Sequence, residues 1–204
     1  MRAEAIARDD RRLGIVGAGK LGTTLARAAL AAGYDVAMSG SGSAQDIALT
    51  VDVLAHGARA TTTDEVVRHA DVIVLAVPTH RFRELAPELF EGKVVIDAMN
   101  YWPPVDGDDE ELADAPSGTS VVVQERFPSA RVVKSLNQLG YHELEEQARP
   151  QGASDRTIVA AAGDDRSAVG AVMRLIDHLG FDPVDAGRLE QGEALEPVRP
   201  QLSR

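Results

Sequence analysis

Gly17-Ala18-Gly19-Lys20-Leu21-Gly22 stands between a short apolar run, Leu13 to Ala18, and a segment from Lys20 to Ala32. In that segment Leu21, Leu25, Ala28, Ala29 and Ala32 recur at helical spacing. A G-x-G-x-x-G string says little alone. At the exit of a strand and the entry of a helix it has the context that dinucleotide binding demands. Gly17 permits the tight turn, Gly19 lets backbone N–H groups approach a pyrophosphate at the helix N-terminus, and Gly22 lets helix and strand pack closely. The plainer alternative is a glycine-rich turn that binds nothing. A Walker A loop needs four residues between its glycines and then Gly-Lys-Ser/Thr, and that reading fails.

Outward from this loop the pattern repeats as strand then helix. Gly33 closes the first helix in the left-handed conformation that glycine tolerates. Tyr34 to Ser39 reads as a strand, and Ser43 to Ala55 as a helix with Ser43 and Asp46 in capping-box register. Thr62 and Glu65 repeat that box before a short helix ending near Ala70. Asp71 to Val77 and Lys93 to Ala98 are continuous apolar runs, expected of strands covered on both faces. A helix is expected around Phe82 to Phe90, and a loop from Asn100 to Gly118, which holds three prolines and a run of acids. Then come a helix near Ser120 to Phe127, strands near Arg131 to Leu136 and Arg156 to Ala162, a helix from Asp165 to Leu179 and a strand near Phe181 to Asp185. This alternation predicts an α/β fold: a Rossmann-type, doubly wound, mainly parallel sheet with helices on both faces. Residues 1–11 read as a solvated arm, 12–187 as the NAD(P)-binding domain with a C-terminal α/β extension, and 188–204 as a tail.

Composition removes other classes. The 204 residues carry no cysteine, which excludes disulfides, thiolate metal sites and cysteine nucleophiles. A net charge of −11 opposes a phosphate backbone, so no nucleic-acid partner is expected. The apolar runs fall far short of the roughly 20 residues that a membrane helix needs. The first residues lack the apolar stretch of a signal peptide, so a cytoplasmic location is expected.

An NAD-preferring site places an acid near the end of the second strand to hold the ribose 2′-OH. Here Asp35 sits at the start of that strand, and its end reads Ser39-Gly40-Ser41-Gly42-Ser43. Small hydroxyl residues and free N–H groups accept a 2′-phosphate that a carboxylate would repel, which favours NADP(H). The alternative is a flexible surface turn.

The chain resembles the NADP oxidoreductases dependent on coenzyme F420. The resemblance lies in Gly14-Ile15-Val16-Gly17-Ala18-Gly19-Lys20-Leu21-Gly22, Val72-Ile73-Val74-Leu75-Ala76-Val77-Pro78 and Val94-Val95-Ile96-Asp97-Ala98-Met99-Asn100. It continues in Arg131-Val132-Val133-Lys134-Ser135-Leu136-Asn137 and Leu179-Gly180-Phe181-Asp182-Pro183-Val184. It implies that Gly17, Ala18, Gly19, Lys20 and Leu21 hold the pyrophosphate. Ser39, Gly40 and Ser41 would hold the 2′-phosphate, although Ser41 replaces the arginine usual there. Ala76, Val77 and Pro78 would lie over the adenosine and ribose, with Asn100 and Asn137 near the nicotinamide. The implied activity is hydride transfer between NADP(H) and a deazaflavin such as coenzyme F420. The alternatives are a flavin or ferric reductase on the same scaffold, or a redox sensor that binds NADP(H) and turns nothing over. The expected partner is a small-molecule electron carrier, and the expected assembly a homodimer.

Hydride transfer between two planar carriers needs no obligatory protein acid or base, and the sequence assigns no catalytic residue. The five histidines form no metal pattern, and no metal is expected. His80 has two readings, at the cofactor edge or at a helix start. His142-Glu143-Leu144-Glu145-Glu146 lacks the second histidine of H-E-x-x-H and reads as a solvated helical face. Asp106-Gly107-Asp108-Asp109-Glu110-Glu111 fails as an EF-hand, which wants glycine sixth and glutamate twelfth where Glu111 and Ser117 stand. Trp102 is either a stacking face for a flat electron partner or, more plainly, a loop anchor.

Overall fold

The computed structural model describes residues 11–197. Its strands are β1 (Arg12–Val16), β2 (Asp35–Ser39), β3 (Arg59–Ala60), β4 (Val72–Leu75), β5 (Val94–Asp97), β6 (Arg131–Lys134), β7 (Ile158–Gly163) and β8 (Asp182–Gly187). The helices are α1 (Lys20–Ala31), α2 (Ala44–Leu54), α3 (Thr63–His69), α4 (Pro103–Asp106), α5 (Glu110–Ala113), α6 (Thr119–Arg126), α7 (Glu143–Glu146) and α8 (Arg166–His178). The sheet order is β3-β2-β1-β4-β5-β6-β7-β8. Its first six positions follow the dinucleotide-binding order 3-2-1-4-5-6, and those strands are parallel.

Strand pleating divides the apolar residues between two cores. Ile15, Val74, Val94, Ile96 and Val133 face one layer, which α1, α2 and α8 cover with Leu25, Ala29, Val51, Val172 and Ile176. Ile73, Leu75, Val95 and Val132 face the other, under Val66, Phe82, Phe90, Val123 and Phe127. Burial on both faces explains why these strands are continuous apolar runs rather than alternating ones.

The expected helix over Phe82 to Phe90 is instead two 3₁₀ turns, Thr79–Glu84 and Pro87–Phe90. Pro87 has no N–H to donate and pushes Ala86 into extended backbone, at φ −73° and ψ 114°. The apolar residues still reach the core, where the Phe90 and Phe127 rings lie 4.8 Å apart. Nor is Asn100 to Gly118 all loop. Pro103 opens α4, where a first helical turn needs no donor, and the Asp109 carboxylate accepts from Leu112 N at 3.1 Å to cap α5. The two-residue β3 carries no apolar run and was not read from sequence.

β7 runs antiparallel to β6 because the connection between them offers only the single turn of α7, not a crossover helix. α8 then supplies a true crossover, so β8 lies parallel to β7. After β8 the chain turns back as a 3₁₀ segment, Leu189–Leu195, with Leu189 buried. Glu196 Oε1 accepts from Thr119 N and Thr119 Oγ1, both at 2.7 Å, and so caps α6. The part of the expected tail up to residue 197 thus packs on the domain. Residues 1–10 of the expected arm and 198–204 lie outside the described residues.

Candidate functional site: the rim at the carboxyl ends of the strands

Every candidate residue lies at or just past the carboxyl end of a parallel strand, the edge where open α/β sheets take their ligands. Residues 17–21 leave β1, Ser39 ends β2 and Gly40 and Ser41 follow it, and 76–78 leave β4. Asn100 and Asn137 follow β5 and β6.

The three loop glycines do different work. Gly17 has φ +125°, and a Cβ there would lie 2.2 Å from Ala76 O. A Cβ on Gly22 would lie 1.9 Å from Gly17 O. Both glycines therefore permit close backbone packing. Gly19 has ordinary extended backbone, φ −79° and ψ −170°, and a Cβ there would meet nothing within 4 Å. Gly19 is the N-cap of α1, where no side chain caps the helix and the first turn holds no acid. An uncapped helix N-terminus facing open space suits an anion, because its free N–H groups and the helix dipole both favour negative charge. Lys20 lies beside it, with Nζ donating to Tyr141 Oη at 3.3 Å and standing 5.2 Å from that ring's centre.

At the end of β2, Ser39 is buried and its Oγ accepts from Thr63 Oγ1 at 3.1 Å, whereas Ser41 is exposed. The capping box forms as expected from sequence, and it carries a carboxylate back to this edge. Asp46 Oδ2 accepts from Ser43 N at 2.7 Å and from Ser43 Oγ at 2.9 Å. Ala76 N donates to Val16 O at 2.8 Å, holding the β4 exit against the glycine loop, with Val77 half-buried and Pro78 exposed.

Asn100 and Asn137 meet. Asn137 Nδ2 donates to Asn100 Oδ1 at 3.0 Å and to Leu195 O at 2.8 Å, while Asn100 Nδ2 donates to Asn137 O at 2.9 Å. The turn that aims Asn137 back at Asn100 passes through Leu136 at φ +62°, the one non-glycine residue with positive φ among those described.

Beneath this pair lies a network that sequence reasoning missed. Asp97 and Lys134 are register partners on β5 and β6, with side chains 1% and 0% exposed and 3.3 Å apart. Lys134 Nζ also donates to Met99 O at 2.6 Å, Asp97 Oδ1 accepts from Met99 N at 3.0 Å, and Ser120 Oγ donates to Asp97 Oδ2 at 2.5 Å. The ion pair therefore grips both polar groups of Met99, next to Asn100. The available signal was a lone charge ending each of two apolar runs, Val94-Val95-Ile96-Asp97 and Val132-Val133-Lys134.

Of the aromatic pair, Tyr101 is the anchor. It is buried, its Oη donates to Gly107 O at 2.8 Å, and it accepts from Asp109 N at 3.0 Å. Trp102 is 49% exposed. The acidic run is structural. Asp109 and Glu111 clasp Arg83, and although burial alone would lower its pKa, these two carboxylates outweigh that and raise it.

Residues 12–101 match the family described as NADP oxidoreductase coenzyme F420-dependent. The fold extends the likeness to almost all of the chain. A hypothetical protein, SMa0349, from Sinorhizobium meliloti superposes with a TM-score of 0.78 at 27% identity, covering 93% of this chain and 91% of that one. A candidate F420-dependent NADP-reductase from Arthrobacter sp. FB24 superposes with a TM-score of 0.71 at 22% identity, covering 90% and 89%. Protein YjhV of Escherichia coli K12 is 39% identical over 51 residues, which span 25% of this chain and 37% of that protein's length. No helix among the described residues is long and apolar enough to cross a membrane.

Proposed function

We propose that this chain is a cytoplasmic oxidoreductase that binds NADP(H) along the rim and passes hydride to or from a deazaflavin of the coenzyme F420 type. The observation that carries the reading is the uncapped N-terminus of α1 at the open Gly19, inside the span that matches an NADP oxidoreductase family. In this reading the first-turn N–H groups of α1 hold the pyrophosphate, and Gly40 and Ser41 take the 2′-phosphate at the end of β2. Asp46 is bonded into its own helix cap, with Oδ2 turned to the Ser43 donors. Asn100 and the Met99 backbone, held by Asp97 and Lys134, form the wall for the nicotinamide. The chain's contribution to the hydride step is proximity, orientation and exclusion of water.

The test is steady-state oxidation of NADPH with coenzyme F420, FMN or a ferric chelate as acceptor. Turnover with F420 alone supports the proposal. Turnover with FMN or ferric chelate instead indicates a flavin or ferric reductase. Tight NADPH binding with no turnover by any acceptor indicates a sensor.

The exposed indole of Trp102 is the proposed stacking face for the second carrier. Stacking on an aromatic ring is worth about 1–3 kcal/mol. Trp102→Ala is therefore expected to raise the carrier's KM by about tenfold, or lower kcat to match, with NADPH affinity unchanged. The melting temperature should hold, because Tyr101 anchors the loop. Unaltered carrier kinetics would place the second carrier elsewhere.

A further inference from the structure

The segments leaving β4 and β5 are joined by one carboxylate. Asp106, whose side chain is 2% exposed, accepts from His80 N at 3.2 Å and from His80 Nδ1 at 3.0 Å through Oδ1. Its Oδ2 accepts from Trp102 N at 2.8 Å. A carboxylate only accepts, so the His80 nitrogen facing it carries the proton, and Nε2 is left as the exchanging atom of a ring that is 39% exposed. The residue before His80 adds a second observation. Thr79 Oγ1 is buried with no hydrogen-bond partner among the described residues, an uncommon state that a bound ligand would relieve. One buried acid thus orients an imidazole and holds the Trp102 backbone, at the exits of β4 and β5, the second of which leads into Asn100.

We propose that His80 is the general acid and base of the reaction, with Asp106 as its positioning residue, an inference that rests on the proposed hydride transfer. Hydride leaving C4 of the reduced nicotinamide carries two electrons to an electrophilic ring carbon of the acceptor. The electron pair this displaces comes to rest on a conjugated ring nitrogen. That nitrogen takes a proton from His80 Nε2, and solvent reprotonates the imidazole. The sum is NADPH, a proton and the oxidised carrier giving NADP⁺ and the dihydro carrier. In the reverse direction neutral Nε2 takes the proton. Asp106 stabilises the imidazolium and keeps the ring turned, as buried carboxylates do for catalytic histidines.

His80→Gln leaves the backbone bond to Asp106 in place. Loss of a positioned acid typically lowers rate about 100- to 10,000-fold. The variant is expected to lose at least about 100-fold in kcat, with NADPH affinity and melting temperature unchanged. His80→Ala is expected to recover part of that loss when imidazole is added, which a purely structural role would not allow. Full activity in His80→Gln, or no rescue of His80→Ala, would overturn the proposal. A readout independent of turnover is the ¹⁵N resonance of His80 Nε2 in the full-length protein. Adding NADPH should shift it, and a resonance that stays put while NADPH binds would also overturn the proposal. A shift without turnover by any carrier would retain the dyad beside the cofactor and refute the proposed acceptor. NADPH that fails to bind would refute both.

Discussion

Gly19→Asp is expected to lower NADPH and NADH affinity by at least about 100-fold while the protein melts where the wild type does. The aspartate keeps an ordinary φ of −79°, and its Cβ enters open space, so the fold has nothing to resist. Its carboxylate then occupies the uncapped N-terminus of α1 and presents a like charge to the pyrophosphate in the position that the phosphate needs. Equilibrium titration by nicotinamide fluorescence decides it, and unchanged affinity would mean that the pyrophosphate lies elsewhere. Gly22→Ala makes the opposite change. Its Cβ would stand 1.9 Å from a backbone oxygen that cannot move aside cheaply. It should cost about 3 kcal/mol, the upper end of overpacking penalties, in urea unfolding.

The second large effect lies at the Asp97–Lys134 pair. Lys134→Met leaves a carboxylate that is 1% exposed without its cation, and the expected cost is about 3–5 kcal/mol in urea unfolding. Adding Asp97→Asn should recover most of it, because the amide keeps Met99 N and Ser120 as partners and carries no charge. If the double variant is no more stable than Lys134→Met, the penalty arises from lost packing against the Lys134 stem, where Gly192 closes in.

The fold was legible wherever one local signal sufficed. The glycine loop, the capping box at Ser43, the N-cap at Thr62, and the two-sided apolar strands each announce themselves within a few residues, although Glu65 turns its carboxylate to Thr61 Oγ1 and so completes no box at Thr62. What the sequence withheld depends on partners far along the chain. Asp97 and Lys134 end separate strands, and only pairing across the sheet makes them one buried unit. His80 and Asp106 are 26 positions apart, and each carried a plainer reading, a helix start and a failed cation loop. Pro87 stands in plain view between Phe82 and Phe90, and it is what divides the expected helix into two 3₁₀ turns. The direction of β7 depends on how much helix its preceding connection can form, and the acids after His142 offered helical composition without the length a crossover requires. Glu196 as the cap of α6 had no local signal, since its partners lie 77 positions upstream.

That last contact bears on how the chain is made. Synthesis proceeds from the N-terminus, and domains fold as their sequence emerges. Strands β1 to β5 and the glycine loop are complete about a hundred residues before the Leu189–Leu195 turn arrives to give Asn137 its acceptor at Leu195 and α6 its cap. On the proposed reading, a nascent chain therefore acquires the end that takes the pyrophosphate early and the end that takes the nicotinamide last, so NADPH present during translation would meet the first before the second exists.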